Sequence, residues 1–369
     1  MTSHLKFYGE HGISPVRQDI SDLSRHFKRR EALYRHLGIV PRSLSGRSVL
    51  EVGPGSGQNA LYTASLKPAS FVLLEGNPIG AEQTGILMRP HRAIVIQSRL
   101  EDWVPTAPFD FVFCEGLLSG VENPNDILNK LSAATRSGGV LVISVVDHLS
   151  HFPEMIRRAL AQSILKGAGT LTEQTERLLP AFAPHLTTLR GMSRRHDDWI
   201  VDNLIHPGTV IPLINAPEAI QRLSESFDYY AGSPHFVTDW RWYKEAAGET
   251  NERAIEQYWD LAHNLLDYSV VSEAREPQLN QTLYALCTLA RAHLKAYEEK
   301  FDQRCMEEFK DVLSHIIRDV MTFSTSTARA MREGADLLEG ALMPADIAGA
   351  QRFGALFGRG QQYLSFIKK

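Results

Sequence analysis

Three cysteines, Cys114, Cys287 and Cys305, are all that the 369-residue chain contains, an odd and widely spaced set without a CxxC pair. Neither a disulfide framework nor a cysteine zinc site follows, and a reducing cytoplasm is the expected compartment. No apolar run approaches the roughly 20 residues needed to cross a bilayer, and Met1 to Asp19 lacks the apolar stretch of a signal peptide. An unexported protein with no membrane partner is expected. A surplus of one charge sign is also missing: 39 Lys+Arg face 43 Asp+Glu, for a formal charge of -4 and a pI near 6.4. That balance offers no broad cationic face to a phosphate backbone, so nucleic acid is not an expected partner. No repeat of 20 to 50 residues stands out, which disfavours a solenoid. What remains is ordinary globular composition, 43% hydrophobic and 22% charged, with length for about two domains or one core with large additions.

The texture of the chain changes along its length. From Asp19 to Leu37, Leu23, Phe27, Leu33, Tyr34 and Leu37 recur at helical intervals in a basic segment closed by Gly38 and Pro41, which predicts an amphipathic helix in an N-terminal cap over 1–45. Short runs rich in Val, Ile and Phe follow at Ser48–Val52, Ser70–Glu75, Ala93–Gln97, Phe109–Cys114 and Gly139–Val146. Helix-length stretches separate them at Asn59–Leu66, Gly80–Met88 and Pro124–Arg136, and strand alternating with helix is the signature of a parallel sheet covered on both faces. Strand character returns at Phe227–Tyr230 and Thr238–Lys244, after a plausible helix at Pro217–Ser226, and these are read as the last two strands of a sheet domain over 46–245. The intervening 149–215 reads as a helical lid insertion. Beyond Ala246 the stripes Leu279, Leu283, Leu286, Leu289, Ala290, Leu294 and Cys305, Phe309, Val312, Leu313, Ile316, Ile317, Val320 predict a C-terminal helical domain over 246–369. Its helices are expected to pack on the sheet domain or on a second copy of the chain as a homodimer. Only its closing segment, Phe357–Lys369, reads as strand-like.

The most informative segment is VLEVGPGSGQNA, Val49 to Ala60. An apolar strand ends in an acid, glycines alternate at positions 53, 55 and 57, and a helix begins. Such glycines let the backbone turn tightly and approach a ligand, while the helix start offers N–H groups to an anionic group. A dinucleotide site wants GxGxxG without a carboxylate in the strand end, because Glu51 would repel pyrophosphate. Beside an ammonium or a sulfonium the same carboxylate is favourable. Glu75 ends the second strand, where an acid can accept hydrogen bonds from ribose hydroxyls, and all these positions fall at the carboxyl ends of strands, where open α/β sheets bind ligands.

These motifs, with FDFVF at Phe109–Phe113 and SGGVLVIS at Ser137–Ser144, resemble the class I S-adenosylmethionine-dependent methyltransferases. The resemblance covers 46–147 well and Phe227–Lys244 more loosely. It implies a doubly wound α/β fold with a seven-stranded, mostly parallel sheet, and S-adenosyl-L-methionine as cofactor. Glu51, Gly53 and Gly55 would surround the methionyl end, Glu75 the ribose, and Leu100 with Glu101 the adenine, although the place just after the third strand that many members fill with Asp is Arg99 here. Pro54, Gly57, Asn59, Gly76, Asn77, Cys114 and Glu115 complete the expected contact set.

Three residues are candidates to take a proton from an acceptor. Glu115 follows the fourth strand and can act as a base or be a solvated loop carboxylate. His148 follows the fifth strand, and an imidazole titrating near about 6.5 suits general-base work, though such a residue can equally be plain surface. His196 belongs to the cluster His196, Asp197, Asp198, Asp202, Asn203, His206, which reads as a substrate-contacting lid helix rather than a metal site, since no ligand spacing is recognisable. His26, Arg29, Arg30 and Tyr34 can cap the pocket and bind an anionic substrate group or form a solvated helix face. Phe236, Trp240, Trp242 and Tyr243 can stack on a sugar ring or a planar acceptor, or pack in the core. The expected activity is methyl transfer to the O or N atom of a small-molecule or glycan-linked acceptor. A different adenosyl-cofactor transfer is one alternative, and a non-catalytic binder of S-adenosylmethionine or its demethylated product is another.

Overall fold

A computed structural model describes residues 3–165, 169–208, 212–340 and 343–369. Two compact units are formed: Met1–Val146, Ile211–Tyr258 and Gln361–Lys369 make the first, and Asp147–Val210 with Trp259–Gly360 the second.

The first unit is built on a seven-stranded sheet of β1 (Ser48–Val52), β2 (Ser70–Glu75), β3 (Ile94–Gln97), β4 (Phe109–Cys114), β5 (Thr135–Val145), β6 (Phe227–Ser233) and β7 (Gln362–Lys368). The spatial order is β3-β2-β1-β4-β5-β7-β6, with every neighbouring pair from β3 to β5 parallel and β7 antiparallel to both β5 and β6. The central strands read as unbroken apolar runs because both faces are covered: β1, β2 and β4 are buried almost throughout, whereas edge strand β6 alternates. Strand order reverses between β1 and β4, which opens a crevice at their carboxyl ends.

Helices α1 (Ser3–His11), α2 (Leu23–His36), α3 (Ala60–Ser65), α4 (Pro78–Met88), α5 (Pro124–Ala134), α9 (Ala216–Leu223) and α10 (Thr250–Leu261) are the helical elements of this stretch of chain. Their starts follow the side-chain chemistry. Asp22, Asn77, Asn123 and Asn215 each accept a backbone N–H at an N-cap, and Pro78 and Pro124 stand at first helical positions that need no N–H partner. The apolar face of α2 lies on the sheet, where Tyr34 stacks on Phe113 with ring centroids 5.4 Å apart and donates or accepts a 2.8 Å hydrogen bond with Thr63.

One strand departs from expectation. Thr238–Lys244 forms no strand; the sheet position beside β5 is filled from the far end of the chain by β7, inside the segment assigned to the helical region. The aromatic residues of 238–244 therefore have no partner strand, and Trp240 is 93% exposed, whereas Phe236 packs on Tyr258 in the core. Asp239 bends this segment by accepting from the Arg241 backbone N–H at 3.0 Å and by pairing with the Arg241 and Arg253 guanidinium groups.

The second unit contains α6 (Phe152–Leu165), α7 (Leu171–Thr188), α8 (His196–Ile200), α11 (Pro277–Lys300), α12 (Gln303–Val320), α13 (Thr325–Leu337), α14 (Pro344–Gly349) and α15 (Gln351–Ala355). The insertion after β5, apart from Lys166–Ala168 and Thr209–Ile211, which lie outside the described residues, thus groups with the helices that follow β6. Helices α11 and α12 pack as a pair. The buried face of α11 is Asn280, Leu283, Cys287, Ala290, Leu294 and Tyr297, so Leu279 and Leu289 of the expected stripe fall outside it and stay about half exposed. In α12 the expected stripe is the buried one, through Phe309, Leu313, Ile316, Ile317 and Val320. Among the described residues no helix is long and apolar enough to cross a membrane.

Candidate functional site

The crevice at the carboxyl ends of β1, β2 and β4 gathers the glycine loop and both strand-end acids. Gly53, Gly55 and Gly57 all have positive φ, at 72°, 61° and 83°. The three glycines do different things. A Cβ on Gly55 would stand 2.7 Å from Val16 Cγ2, so the loop is bare there to admit a close neighbour. A Cβ on Gly57 would stand 2.9 Å from Thr84 Oγ1, so this glycine serves the approach of α3 to α4. The Thr84 hydroxyl donates to the Gly55 carbonyl at 2.9 Å and fixes the loop from below. Gly80 has the same purpose, its Cβ direction running into the Gly55 carbonyl at 2.8 Å.

Glu75 is the organiser of the loop. One carboxylate oxygen accepts the Gly55 N–H and the other the Asn77 N–H, each at 2.8 Å, leaving further lone pairs on a buried carboxylate for hydroxyl donors. Burial raises its pKa, and those backbone donors pull it back. Asn77 caps α4 through Ile79 and donates to the Ile13 carbonyl at 3.0 Å.

Glu51 is the group most in need of a cation. Burial, then the nearby Glu115 carboxylate, push its pKa up to about 8, with Arg30 opposing. Two carboxylates and one guanidinium thus share a buried space. The guanidinium is committed: Arg30 Nη1 and Nη2 donate to the two oxygens of Glu115 at 2.8 and 2.6 Å. His26, Arg30 and Tyr34 are the inward face of α2, spaced one turn apart, whereas Arg29 points to solvent. His26 meets the Gln58 carbonyl at 3.0 Å, and burial lowers its pKa.

The remaining expected contacts are less uniform. Pro54, Asn59 and Gly76 lie partly exposed along the loop and the β2 end, and Leu100 is buried below β3. The Glu101 carboxylate pairs with Arg99 and its carbonyl accepts from Lys130 Nζ at 2.7 Å. Cys114 turns its thiol into the core, where burial raises its pKa, and offers only backbone to the crevice.

The three proton-acceptor candidates are not brought together in one unit. Glu115 lies in the first unit, clamped by Arg30 on both oxygens, so its carboxylate is held in a largely buried ion pair and is not a solvated loop group. His148 and His196 lie in the second. Burial and Arg291 lower the His148 pKa to about 3, so its imidazole is a weak base at neutral pH. His196 opens α8 partly exposed, and that helix runs into a π-helical turn at Val201–Ile205. Asp197 is held by Arg195 and Asp202 by Arg194. Among the described residues no group of three or more His, Cys, Asp or Glu is arranged to hold a metal ion.

The first residues of the N-terminal cap, before the amphipathic helix, carried no marked contact residue in the sequence and are prominent at the loop. Leu5 packs within 3.2 Å of the Cβ direction of Gly76, His4 within 3.0 Å of that of Gly120, and Ser14 Oγ meets Ser56 Oγ at 3.4 Å. With Val16 on Gly55 and Ile13 on Asn77, residues 4–16 form a strap along the loop. No periodicity or motif marked it, since its contacts are made one residue at a time.

A buried, cation-seeking acid beside a loop shaped for close backbone approach, and a second acid with spare acceptor capacity, fit an adenosyl group carrying an ammonium and a carboxylate. Residues 24–178 match the family described as a methyltransferase domain. The sheet of the first unit has the strand order and parallel-then-antiparallel pairing of a class I methyltransferase-like, Rossmann-like α/β fold. Among curated relatives, the chain is 27% identical over 124 residues to the methyltransferase pytC of Aspergillus terreus, covering 34% of this chain and 37% of that one. It is 25% identical over 170 residues to the trans-aconitate 2-methyltransferase of Afipia carboxidovorans, covering 44% and 63%. It is 32% identical over 114 residues to the tRNA U34 carboxymethyltransferase of Haemophilus influenzae, covering 28% and 34%. The chain therefore spans from about a third to under two thirds of these relatives. Among solved structures, the [4+2]-cyclase SpnF aligns over 93% of this chain and 80% of its own, at 11% identity and a TM-score of 0.38.

Proposed function

We propose that the chain transfers a methyl group from S-adenosyl-L-methionine to a small-molecule or glycan-linked acceptor at an O or N atom. The observation that carries this reading is the buried Glu51 carboxyl at the end of β1, raised to about 8 by burial and by the nearby Glu115 carboxylate, beside a glycine loop tied down by Glu75. The relatives' names, two of which are small-molecule or unspecified methyltransferases, support it, and the net charge of -4 speaks against a nucleic-acid acceptor.

The bound cofactor supplies an electrophilic methyl group on a sulfonium. Glu51 would receive the ammonium, and Glu75 would accept from the ribose hydroxyls with the lone pairs that Gly55 and Asn77 leave open. Leu100 gives the adenine an apolar floor. Arg30 holds Glu115 in one orientation, so Glu115 acts as a positioning group whose charge faces the crevice. Displacement at the methyl carbon neutralises charge, and alignment with exclusion of water can provide much of the rate.

Calorimetry with S-adenosylmethionine and its demethylated product, followed by detection of labelled methyl in acceptor pools, tests the reading. Uptake of both nucleosides with label in a product is the expected result. Uptake without any transfer would leave a non-catalytic binder, and NADH uptake with no response to either adenosyl compound would overturn the cofactor assignment.

A further inference from the structure

At the end of the sheet opposite the crevice, three connections lead into the amino ends of neighbouring strands. Residues 41–47 enter β1, 66–69 enter β2 and 89–93 enter β3, and they lie side by side because Ser48 pairs with Ser70 and Val72 with Ile94. These connections hold Arg42, Arg47, Lys67, Arg89, His91 and Arg92 and not one Asp or Glu, in a chain whose net charge is -4. Lys67, His91 and Arg92 line a cleft of about 540 Å³ there, together with Pro68, Pro90 and the buried Phe71. Small-molecule sites commonly have volumes of roughly 300–1,000 Å³.

The cations of this cleft do not hold the fold together. Among the described residues, the side chains of Lys67, Arg89, His91 and Arg92 have no hydrogen-bond or ion-pair partner. Asp110, at the start of β4, is committed to Arg136 at 2.6 Å and to the N–H and hydroxyl of Ser48, each at 2.8 Å, and meets Arg47 only at 3.9 Å. The connections are closed by their own backbone. The Gly46 N–H donates to the Lys67 carbonyl at 3.1 Å, the Ala69 N–H to the Arg47 carbonyl at 2.9 Å and the Ala93 N–H to the His91 carbonyl at 3.0 Å. Lys67 is the clearest case. It stands just past α3 at a φ of 58°, one of two non-glycine residues with positive φ among those described, in a position that glycine or asparagine fills at least cost. An exposed lysine there strains the backbone with no contact in return. The carboxyl ends of α3 and α4 each carry about half a unit of negative charge, which offsets part of this surplus and leaves the rest uncompensated.

We propose that this cleft is a binding site for a small phosphate ester with an apolar body. Lys67 supplies a point charge and Arg92 a planar fork, from two different connections, and His91 adds a ring nitrogen for a third oxygen. Pro68 and Pro90 offer apolar surface to the rest of the molecule. The site lies at the amino ends of the strands and the crevice at their carboxyl ends, so its ligand is neither the cofactor nor the methyl acceptor. The inference goes beyond the methyltransferase reading and does not depend on it.

The test uses the full chain at constant ionic strength and follows histidine ring resonances during titration with phenyl phosphate, inorganic phosphate and uncharged phenol, with His91→Gln assigning the reporter. Saturable shifts of His91 are expected with phenyl phosphate, at lower concentration than with inorganic phosphate, while phenol gives none and His26 at the crevice stays still. Lys67→Asn suits the left-handed backbone better than lysine does. It should therefore melt at or above the parent temperature while phenyl phosphate affinity falls about tenfold or more, the scale of a lost charge-assisted contact. Arg92→Gln should weaken binding by a similar factor. No saturable shift with phenyl phosphate, or a shift that sodium chloride of equal ionic strength reproduces, overturns the site, and this arm needs no variant to fold. A Lys67→Asn chain that melts earlier than the parent and binds phenyl phosphate equally well also overturns it, because the lysine would then serve the fold.

Discussion

At Glu51 the chemistry of the crevice comes down to one carboxyl whose surroundings favour its neutral form. Its pKa lies near 8 in the folded chain against 4.5 when unfolded, so folding loses stability as pH rises from about 4.5 to about 8 and the penalty is constant above that. Glu51→Gln removes the penalty. Thermal melting of the cofactor-free protein should show the variant more stable than the parent at pH 8 and flatter between pH 5 and 8. The same change removes a charge-assisted contact of about 1.5–3 kcal/mol, so cofactor Kd should weaken roughly ten- to hundredfold. A variant that melts like the parent across this range would show that Glu51 is ionised in the folded protein. At Gly55 the argument is steric: φ is 61° and a Cβ would meet Val16 at 2.7 Å. Gly55→Ala should lower stability by about 1–2 kcal/mol in denaturant titrations and impair cofactor binding more than Gly85→Ala, where the added carbon meets nothing within 4 Å. These glycines and acids stood out as letters in the chain. The clamp of Arg30 on Glu115 did not, because no sequence spacing announces a contact between residues so far apart.

Among the elements, α11 gives the sharpest comparison of pattern with packing. Counting leucines places Leu279, Leu286 and Leu289 on the inner face, yet the helix is rotated so that Asn280, Cys287 and Tyr297 lie inside. Asn280 wins its place by donating to the Trp259 carbonyl at 2.6 Å and meeting His263 at 3.1 Å, a polar network that an apolarity count cannot see. Leu283→Ala should therefore cost about 2–5 kcal/mol by equilibrium unfolding, and Leu289→Ala, 45% exposed in the structure, within about 0.5 kcal/mol. A large loss at Leu289 would mean that its face is covered by a partner, such as a second chain. The N-terminal strap is the other element that pattern missed. It is tied to the loop by Ile13 and Asn77 and by the contacts of Val16 and Leu5, and Asn77→Ala removes both that tether and the α4 cap. A loss of about 0.5–2 kcal/mol is expected from the cap alone, read by thermal or chemical unfolding.

For the molecule as a whole, the decisive feature is that the sheet is completed by the last residues of the chain. β7 pairs with β5 on one side and β6 on the other, so removing Gln362–Lys369 strands β6 and bares the edge of β5. That truncation should abolish cooperative melting and soluble expression, whereas Trp240→Ser, in the segment first read as the seventh strand, should leave stability within about 0.5 kcal/mol. Strand alternation, cap residues and the glycine loop are local: each reports on neighbours within a turn or a strand, and β1, β2 and β4 stand in the structure where their apolar runs place them. From such signals the sequence alone determined the class of fold, the places of the first five strands along the chain and the glycine loop. Which late segment would close the sheet, which face of α11 would turn inward and which buried charges would meet were decided only in the folded chain. Those outcomes rest on competition among distant segments for the same hydrogen bonds and the same buried space, and the energy of that competition is written in no single stretch of residues.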